Sequence, residues 1–283
     1  MSKIEDIILD NDQRGISKLR GHLPENFCED AARLILDNPG HALVISGFFI
    51  LGAMASETDG PPGAYFIGKA LEKLGYQVTQ ITDKFSSSLY ENLEGGGEVI
   101  EFPLSDTASS EKYAKDLLGK LNPSVVISTE RCGMTHRGEY LNVRGVDISE
   151  YNAKIDYIVL NHNATVGIGD GGNEIGMGKL LEHIPGVDSL PNEPTIVATD
   201  KLILASVSNW GASGLIAGLS LLAKRNVLPT ADEEIAVIKQ MVDAGAVDGF
   251  KVEQTYAVDG FPLEQNRKTL ERLHEYLAEQ GIT

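Results

Sequence analysis

From residue 41 onward, short runs of β-branched or apolar residues alternate with amphipathic helical patterns, and this alternation limits the folds open to the chain. The predicted strands lie at 42–46, 77–81, 98–100, 124–128, 157–160 and 202–205. The helical patterns between or after them lie at about 62–74, 110–120, 174–184 and 213–224. Because repeated strand-helix units place successive strands parallel, we predict a Rossmann-like α/β fold with a mostly parallel sheet and helices on both faces.

The segments on either side of this alternation are predicted to be helical. Residues 1–40 carry apolar side chains at helical spacings and end at Asn38-Pro39-Gly40, so we expect a helical N-terminal extension packed on the sheet. Two further helices are predicted at about 231–244 and 263–279. The chain shows no internal repeat or polar linker, and its length suits one core, so we predict a single domain over 1–283.

Composition and charge argue against several classes of partner. The formal net charge of −17 opposes binding to a phosphate backbone, so we expect no nucleic acid. The longest apolar runs are too short to span a bilayer, so we expect no membrane association. Acidic residues near the N-terminus and only two cysteines favour a cytoplasmic location. A small acidic substrate is still compatible with the sequence, because backbone amides and a few Arg side chains can make the electrostatic potential of one pocket positive. A homo-oligomer is also possible.

Polar and charged side chains follow four of the predicted strands. In an open parallel sheet, ligands bind outside the carboxyl ends of the strands, so these residues are candidates for one shared site. The segments that follow the strands are Glu57-Thr58-Asp59-Gly60, Glu130-Arg131-Cys132, Asn161-His162-Asn163 and Ser208-Asn209-Trp210. Among them, Asp59, Gly60, Ser208 and Asn209 are expected to contact a ligand. Trp210 is expected to pack in the core.

The segment 167–178 is rich in glycine and leads into the predicted helix at 174–184. Its glycines allow positive φ angles and close backbone approach, and the first amides of a helix can hold an anion. The candidate anion-binding residues are Gly171, Gly172, Asn173 and Glu174. A tight turn with Asn173 as the helix cap is the alternative. The segment lacks the Lys-Ser/Thr ending of a phosphate-binding loop.

Charged residues near these strand ends suggest specific roles. Glu130 is a candidate general base or ligand for a substrate ammonium group. Arg131 and Arg144 are candidate clamps for a substrate carboxylate, with a solvated or mutually paired charge as the alternative. His136 and His162 are candidates for proton transfer, although histidines near strand ends often bond only to nearby backbone.

Two other chemistries are compatible with these residues. Cys132 follows Arg131, which would favour a lowered thiol pKa. A hard cation such as Mg²⁺ prefers carboxylate oxygens, although no spacing in the chain is diagnostic of a metal loop. The candidate metal ligands are Glu57, Asp59, Glu130, Asp170, Glu174 and Asp200.

Several motifs, taken together, resemble the C-terminal domain of the D-glutamate cyclase family. These motifs are Glu57-Thr58-Asp59-Gly60-Pro61-Pro62-Gly63, Glu130-Arg131-Cys132-Gly133, Tyr140-Leu141-Asn142-Val143-Arg144-Gly145, Gly167-Ile168-Gly169-Asp170-Gly171-Gly172-Asn173-Glu174-Ile175-Gly176-Met177-Gly178 and Val207-Ser208-Asn209-Trp210-Gly211. The resemblance runs from about residue 40 to the end. In longer family members this domain is joined to a hydro-lyase-like domain, and we expect no such domain within these 283 residues.

The resemblance implies a lyase that converts D-glutamate to 5-oxo-D-proline and water. Under this hypothesis, the predicted helix start at Asn173 and either Arg131 or Arg144 hold the substrate carboxylates. Glu130 or Asp170 transfers protons, and Glu57 is a third candidate catalytic group.

Two other functions are compatible with the sequence. One is a non-catalytic module that binds a small anion or a nucleotide and reports it to a partner. The other is a metal-assisted lyase or hydrolase acting on a different acidic small molecule.

Overall fold

The computed structural model describes residues 3–282, and its centre is a six-stranded parallel sheet. The strands are β1 (His41–Ile45), β2 (Phe49–Ile50), β3 (Ala55–Ser56), β4 (Gln77–Thr82), β5 (Glu98–Glu101), β6 (Val125–Thr129), β7 (Thr165–Gly169), β8 (Lys201–Leu204), β9 (Ala257–Val258) and β10 (Phe261–Pro262). The strand order in the main sheet is β5-β4-β1-β6-β7-β8. Every neighbouring pair in it is parallel, which confirms the predicted Rossmann-like α/β fold.

Helices cover both faces of this sheet. They are α1 (Ile4–Ile8), α2 (Phe27–Leu36), α3 (Pro61–Lys73), α4 (Thr107–Leu121), α5 (Asp156–Leu160), α6 (Ser208–Ala223), α7 (Ala231–Asp243) and α8 (Leu263–Glu279). Short 3₁₀ helices lie at Ile16–His22, Ser87–Tyr90, Ser149–Tyr151, Gly178–Leu180 and Ile184–Gly186. Met1, Ser2 and Thr283, the ends of the predicted domain, lie outside the described residues.

Successive residues of the strands point to opposite faces, and both faces are apolar. Ala42 and Val44 of β1 pack into the larger core cluster, which also contains side chains of α2, α3 and α6. Leu43 and Ile45 pack into the second cluster, on the side of α4 and α5. Continuous apolar runs such as β1 are expected in a parallel sheet that is covered on both sides.

Helix α6 lies at the centre of the larger cluster, and its small residues allow neighbouring helices to approach it closely. A Cβ atom at Gly218 would lie 2.9 Å from the carbonyl oxygen of Cys28 in α2. Gly214 likewise leaves room for Ile8 of α1, whose Cδ1 would lie 2.9 Å from such a Cβ atom. The N-terminal helices therefore pack against α6, and α2 also contacts β8.

Two of the predicted elements are wrong. Residues 157–160 belong to helix α5, because an apolar run of four residues does not distinguish a strand from a buried helix. The strand lies instead at Thr165–Gly169. In this strand Gly167 packs closely against the backbone of Gly176, because a Cβ atom at Gly167 would lie 2.7 Å from the Cα of Gly176.

The second error concerns the predicted helix at 174–184. This segment forms only two short 3₁₀ turns. Two of its amides bond to residues that are distant in the sequence rather than to the preceding turn: Ile175 donates to the carbonyl of Arg131, and Gly176 donates to the carbonyl of Val197, each at 2.8 Å. Gly176 also has a φ of 106°, which a helix does not allow.

Two candidate site residues lie at the opposite, amino edge of the sheet. His162 precedes β7, and its Nε2 lies 3.0 Å from the carbonyl oxygen of Pro123. Asp200 precedes β8, and its carboxylate accepts hydrogen bonds from the amide and hydroxyl of Thr165. Their predicted roles in proton transfer and metal binding are therefore wrong.

Within residues 3–282, no helix is both long and apolar enough to cross a membrane.

Candidate active site

A cavity of about 400 Å³ opens at the carboxyl edge of the sheet, beyond the ends of β1, β6 and β7. Acidic side chains form its floor, and apolar side chains form much of its wall. The acidic lining residues are Glu57, Glu130, Asp170 and Glu174. The apolar lining residues are Phe48, Phe49, Ile50, Leu51, Val143, Phe250 and Val252.

Glu57 reaches the cavity from the β2–β3 hairpin, which directly follows β1. The backbone amide of Glu57 donates to the carbonyl of Phe48 at 3.0 Å, which fixes the residue at the end of the hairpin. Its side chain is 5% exposed, and within residues 3–282 its carboxylate makes no hydrogen bond or ion pair. Gly249 leaves room for this carboxylate, because a Cβ atom there would lie 2.1 Å from Oε2.

Glu130 follows β6 in an unusual backbone conformation. Its φ of 45° lies in the left-handed region, which is unfavourable for a residue other than glycine. This conformation turns the side chain into the cavity, where Oε2 accepts a hydrogen bond of 2.6 Å from the hydroxyl of Ser208. Gly60 packs against it, since a Cβ atom at Gly60 would lie 2.5 Å from the Cβ of Glu130.

In the glycine-rich loop after β7, backbone amides bind the carboxylate of Glu174, which belongs to the same loop. The amide of Gly171 donates to Oε1 of Glu174, and the amide of Gly172 donates to Oε2, each at 2.8 Å. From the sequence we predicted that a helix begins here and that its first backbone amides are free to bind a ligand. That prediction is wrong because no helix begins here and because Glu174 occupies the amides. Asn173 lines the cavity, but its Nδ2 donates to the carbonyl of Leu141.

Asp170 is paired with an arginine from the N-terminal segment. Nη1 of Arg14 lies 2.8 Å from Oδ2 of Asp170 and 2.5 Å from Oδ2 of Asp259. Asp12 holds the backbone of this arginine in place by accepting its amide hydrogen bond and that of Gly15. The sequence prediction did not include either Arg14 or Asp259.

A sequence signal for Asp259 was available. Asp259-Gly260 connects β9 to β10, and both residues have positive φ angles, of 51° and 80°. An Asp-Gly pair between apolar residues is a strong hairpin signal. No comparable local signal marks Arg14, because its partner Asp259 lies 245 residues away along the chain.

Asp59 and Asn209 cap each other's helices beneath the cavity floor. The Asp59 carboxylate accepts the first amides of α6, from Ser208 at 2.8 Å and from Asn209 at 2.7 Å. Oδ1 of Asn209 in turn accepts the amides of Gly60 and Gly63 at the start of α3, each at 2.9 Å. These contacts give Gly60 and Asn209 a structural role, and neither residue lines the cavity.

Arg131 does not face the cavity. It is 1% exposed, and its guanidinium group donates to Oδ2 of Asp83 at 2.6 Å and to the carbonyls of Gly47 and Ala153, each at 2.8 Å. The predicted clamp role of Arg131 is therefore wrong, because all of these partners belong to the protein. Arg144 does line the cavity and is exposed at its mouth.

Two further candidate residues, Cys132 and His136, do not line the cavity. Cys132 is buried and its Sγ contacts the carbonyl of Leu141, so burial raises the pKa of the thiol, opposite to the expected direction. His136 lies on an exposed turn and does not line the cavity. Trp210 is buried, as expected, and its indole donates to Asn266.

The carboxyl groups of this site lie close together in a buried environment. One carboxylate oxygen from each of Asp59, Glu130 and Asp170 lies within 4.8 Å of the others. Burial is the largest cause that raises the pKa of each of these groups, and of Glu57 and Glu174. Burial and the nearby Asp259 raise the pKa of Asp59 to about 7.

Asp170 and Glu130 differ in the charges around them. The guanidinium of Arg14 partly offsets the effect of burial on the pKa of Asp170. Every major influence on Glu130 raises its pKa: burial first, and then the neighbouring carboxylates. Proton donors and acceptors in active sites are often pairs of groups whose environments move their pKa values apart.

The raised pKa of Glu57 predicts how stability depends on pH. Burial and repulsion from Asp259 and Asp59 raise it well above 4.5, so the folded protein binds this proton more tightly than the unfolded chain does. The free energy of unfolding should therefore fall as the pH rises above about 4.5 towards the folded pKa. In Glu57→Gln, which has no proton to lose, we expect a smaller fall in urea unfolding measured between about pH 5 and pH 8. Equal slopes for the two proteins would contradict this assignment.

Comparison with known proteins agrees with the resemblance seen in the motifs. A family model described as D-glutamate cyclase-like, C-terminal, matches residues 4–274. The chain is 31% identical over 240 residues to the human protein D-glutamate cyclase, mitochondrial. That match covers 76% of this chain and 37% of the human protein, so the chain corresponds to well under two thirds of that relative. Because the family model spans nearly the whole chain, the chain belongs to the D-glutamate cyclase-like family.

Proposed function

We propose that this chain is a lyase that cyclises D-glutamate to 5-oxo-D-proline with release of water, and that the reaction takes place in the cavity at the carboxyl edge of the sheet. The observation that carries this proposal is the group of buried carboxyl groups, in a chain of the D-glutamate cyclase-like family. Burial raises the pKa of these groups, and the Arg14 guanidinium partly offsets this effect at Asp170.

The reaction sets clear chemical requirements. The α-amine must be neutral to attack the γ-carboxyl carbon, and the γ-carboxyl group must be protonated before an oxygen can leave as water. Two protons leave the nitrogen and two reach the departing oxygen, so the overall reaction takes up and releases none. A site with one proton acceptor and one proton donor meets these requirements.

We assign the donor role to Glu130 and the acceptor role to Asp170. The largest influences on Glu130 favour its protonated form, so it is suited to protonate the departing oxygen. Asp170 lies next to the Arg14 guanidinium, which favours its ionised form and suits it to accept a proton from the substrate ammonium. Because two protons move in each turnover, the proton taken up by Asp170 must pass to Glu130 after the first transfer and again after the second, which the short separation of the two carboxyl groups favours.

A site rich in carboxyl groups can still bind an acidic substrate if some of them are protonated. A protonated Glu57, which has no hydrogen-bond partner among the described residues, would donate to the γ-carboxylate of the substrate. Arg144 at the cavity mouth is placed to pair with the α-carboxylate. Arg131 and the amides of Gly171 and Gly172 are not free for this role, because the protein itself occupies them.

The cavity also favours a folded-back substrate. A volume of about 400 Å³ holds a single small amino acid, and its wall includes Phe48, Phe49 and Leu51. Contact with these apolar side chains would restrict the substrate chain, which favours ring closure over the extended conformer.

The test is to incubate the purified protein with D-glutamate or L-glutamate and to follow 5-oxoproline by chiral chromatography. We expect 5-oxo-D-proline to form from the D isomer well above the spontaneous rate, with much slower conversion of the L isomer. No turnover above background would contradict the proposal. Binding of D-glutamate without turnover, seen as a thermal shift, would favour the non-catalytic module instead.

A further inference from the structure

Three apolar side chains on one side of the cavity have no role in the proposed reaction of D-glutamate. Ile50 comes from the β2–β3 hairpin, and Phe250 and Val252 come from the loop between α7 and β9. We call these three residues the outer wall, because Ile50 and Val252 are half-buried and Phe250 is 54% exposed. Adjacent apolar side chains that line a cavity and are open to solvent are typical of a site for an apolar ligand group.

The loop that carries Phe250 and Val252 is held in place by the buried Asp248 carboxylate. Oδ1 of Asp248 accepts the amide hydrogen bonds of Phe250 at 3.0 Å and Lys251 at 2.6 Å, and Oδ2 accepts that of Gly260 at 2.7 Å. Val252 has a φ of 57°, which is unfavourable for a β-branched residue. Strained backbone that its surroundings hold in place is often found at ligand-binding sites.

The outer wall lies directly beside Glu57. A Cβ atom at Gly249 would lie 2.1 Å from Oε2 of Glu57 and 3.2 Å from Cδ1 of Ile50. A Cβ atom at Gly52 would lie 2.9 Å from Cγ1 of Val252, so the loop and the hairpin pack closely together. Because the proposed reaction places the γ-carboxyl group of the substrate near Glu57, a group attached to that carboxyl would reach the outer wall.

The cavity also has room for a ligand larger than D-glutamate. Its volume of about 400 Å³ lies in the range of pockets that hold drug-sized ligands, whereas glutamate has only about ten non-hydrogen atoms. The short aliphatic chain of glutamate offers little apolar surface to the outer wall. D-glutamate therefore leaves space along this wall for an apolar substituent.

The chemistry of the reaction limits where that substituent can be attached. The α-amine must stay free to attack, and the α-carboxylate is assigned to Arg144, so the γ-carboxyl group is the remaining position. The substituent should also be uncharged. Among residues 3–282, the cationic side chains that line the cavity are Arg14 and Arg144, and Arg14 is paired with Asp170 and Asp259. An apolar amine therefore fits the outer wall better than an amino acid with a second carboxylate.

We propose that the cavity also accepts γ-D-glutamyl amides of apolar amines and cyclises them to 5-oxo-D-proline with release of the amine. This inference rests on the proposed function, because it uses the same cavity, proton acceptor and proton donor. The neutral α-amine attacks the γ-amide carbon to form the lactam bond, and the bond from that carbon to the amide nitrogen breaks. Two protons leave the attacking nitrogen through Asp170, and two reach the departing nitrogen through Glu130, so the amine leaves as an ammonium ion. The reaction consumes no water and needs no redox partner.

The experiment compares the γ-methylamide and the γ-n-butylamide of D-glutamate as substrates. Released amine and 5-oxo-D-proline are both measured by chromatography, and D-glutamate is assayed in parallel. Burial of one CH₂ group is worth about fourfold in affinity, and the butyl group has about three more of them than the methyl group. We expect kcat/KM for the butylamide to exceed that for the methylamide by at least about tenfold.

Variants test whether the outer wall is the cause of this preference. Phe250→Ala should lower the ratio of the two kcat/KM values by at least about threefold, because the butyl group loses an apolar contact. Tyr256→Ala is the matched control, since Tyr256 is an aromatic residue that is 47% exposed and does not line the cavity. This control should keep the wild-type ratio. A ratio measured within each protein is insensitive to a general loss of active enzyme, and Ile50→Ala replaces Phe250→Ala if the latter does not fold.

Three results would overturn the inference: no amine release from either amide, equal kcat/KM for the two amides, or a wild-type ratio in both Phe250→Ala and Ile50→Ala. Turnover of D-glutamate without turnover of the amides would overturn this inference and support the proposed function. Turnover of the amides without turnover of D-glutamate would have the opposite meaning, because release of the amine would then replace release of water as the reaction of this cavity.

Discussion

Glu130→Gln is expected to lower the rate of 5-oxo-D-proline formation from D-glutamate by about 10²- to 10⁴-fold, the usual contribution of a general acid or base. A glutamine amide can still accept the 2.6 Å hydrogen bond that the carboxylate accepts from Ser208, so the local structure should persist. The amide has no acidic proton for the departing oxygen. The loss should therefore appear mainly in kcat, with a smaller change in KM.

The control for this variant is Glu234→Gln. It removes a buried carboxyl group of helix α7 that does not line the cavity, so it should retain the wild-type rate. Both proteins are assayed under the same conditions, after their folding has been checked by circular dichroism. A Glu130→Gln protein as active as this control would exclude Glu130 as the proton donor.

Arg131→Ala is expected to lower the free energy of unfolding by about 3–5 kcal/mol, the usual cost of removing one partner from a buried ion pair. The substitution leaves the buried Asp83 carboxylate without its cation and leaves the carbonyl of Gly47 without its donor. Arg144→Ala removes an exposed charge at the cavity mouth, so its effect on stability should stay within about 0.5 kcal/mol.

The two arginine variants should therefore separate stability from substrate binding. Urea unfolding gives the free energies, and steady-state kinetics with D-glutamate gives KM. We expect a raised KM for Arg144→Ala and a loss of stability for Arg131→Ala. If Arg131→Ala does not fold, Arg131→Lys, which keeps the charge but loses the forked geometry, should be less destabilised. A stable Arg131→Ala protein with a raised KM would restore Arg131 as the substrate clamp.

The parts of the site that follow strand ends could be predicted from the sequence. Glu57 and Glu130 each come soon after an apolar strand, Asp170 lies in the glycine-rich segment, and parallel strands end at one edge of the sheet. The alternation of strands and helices was likewise sufficient to predict the parallel sheet. These features depend on the local sequence pattern and on the general rule that ligands bind at the carboxyl ends of the strands in an open α/β sheet.

Features that depend on distant contacts could not be predicted in this way. Arg131 looks like a free charge in the sequence, and only the fold shows that Asp83, which is 48 residues away, pairs with it. The glycine-rich loop looks ready for a ligand, because the sequence does not show that Glu174 turns back onto the amides of Gly171 and Gly172. Arg14 enters the site from the N-terminal segment, which carries no local sign of this role.

The most direct test of the central claim is a crystal structure of Glu130→Gln, the slowed variant, soaked with D-glutamate. We predict that the amino acid lies folded back in the cavity, with its γ-carboxyl group near Glu57 and position 130, its amine near Asp170 and its α-carboxylate near Arg144. D-glutamate bound at a different surface, or an empty cavity at saturating D-glutamate, would contradict the assignment of this cavity as the active site.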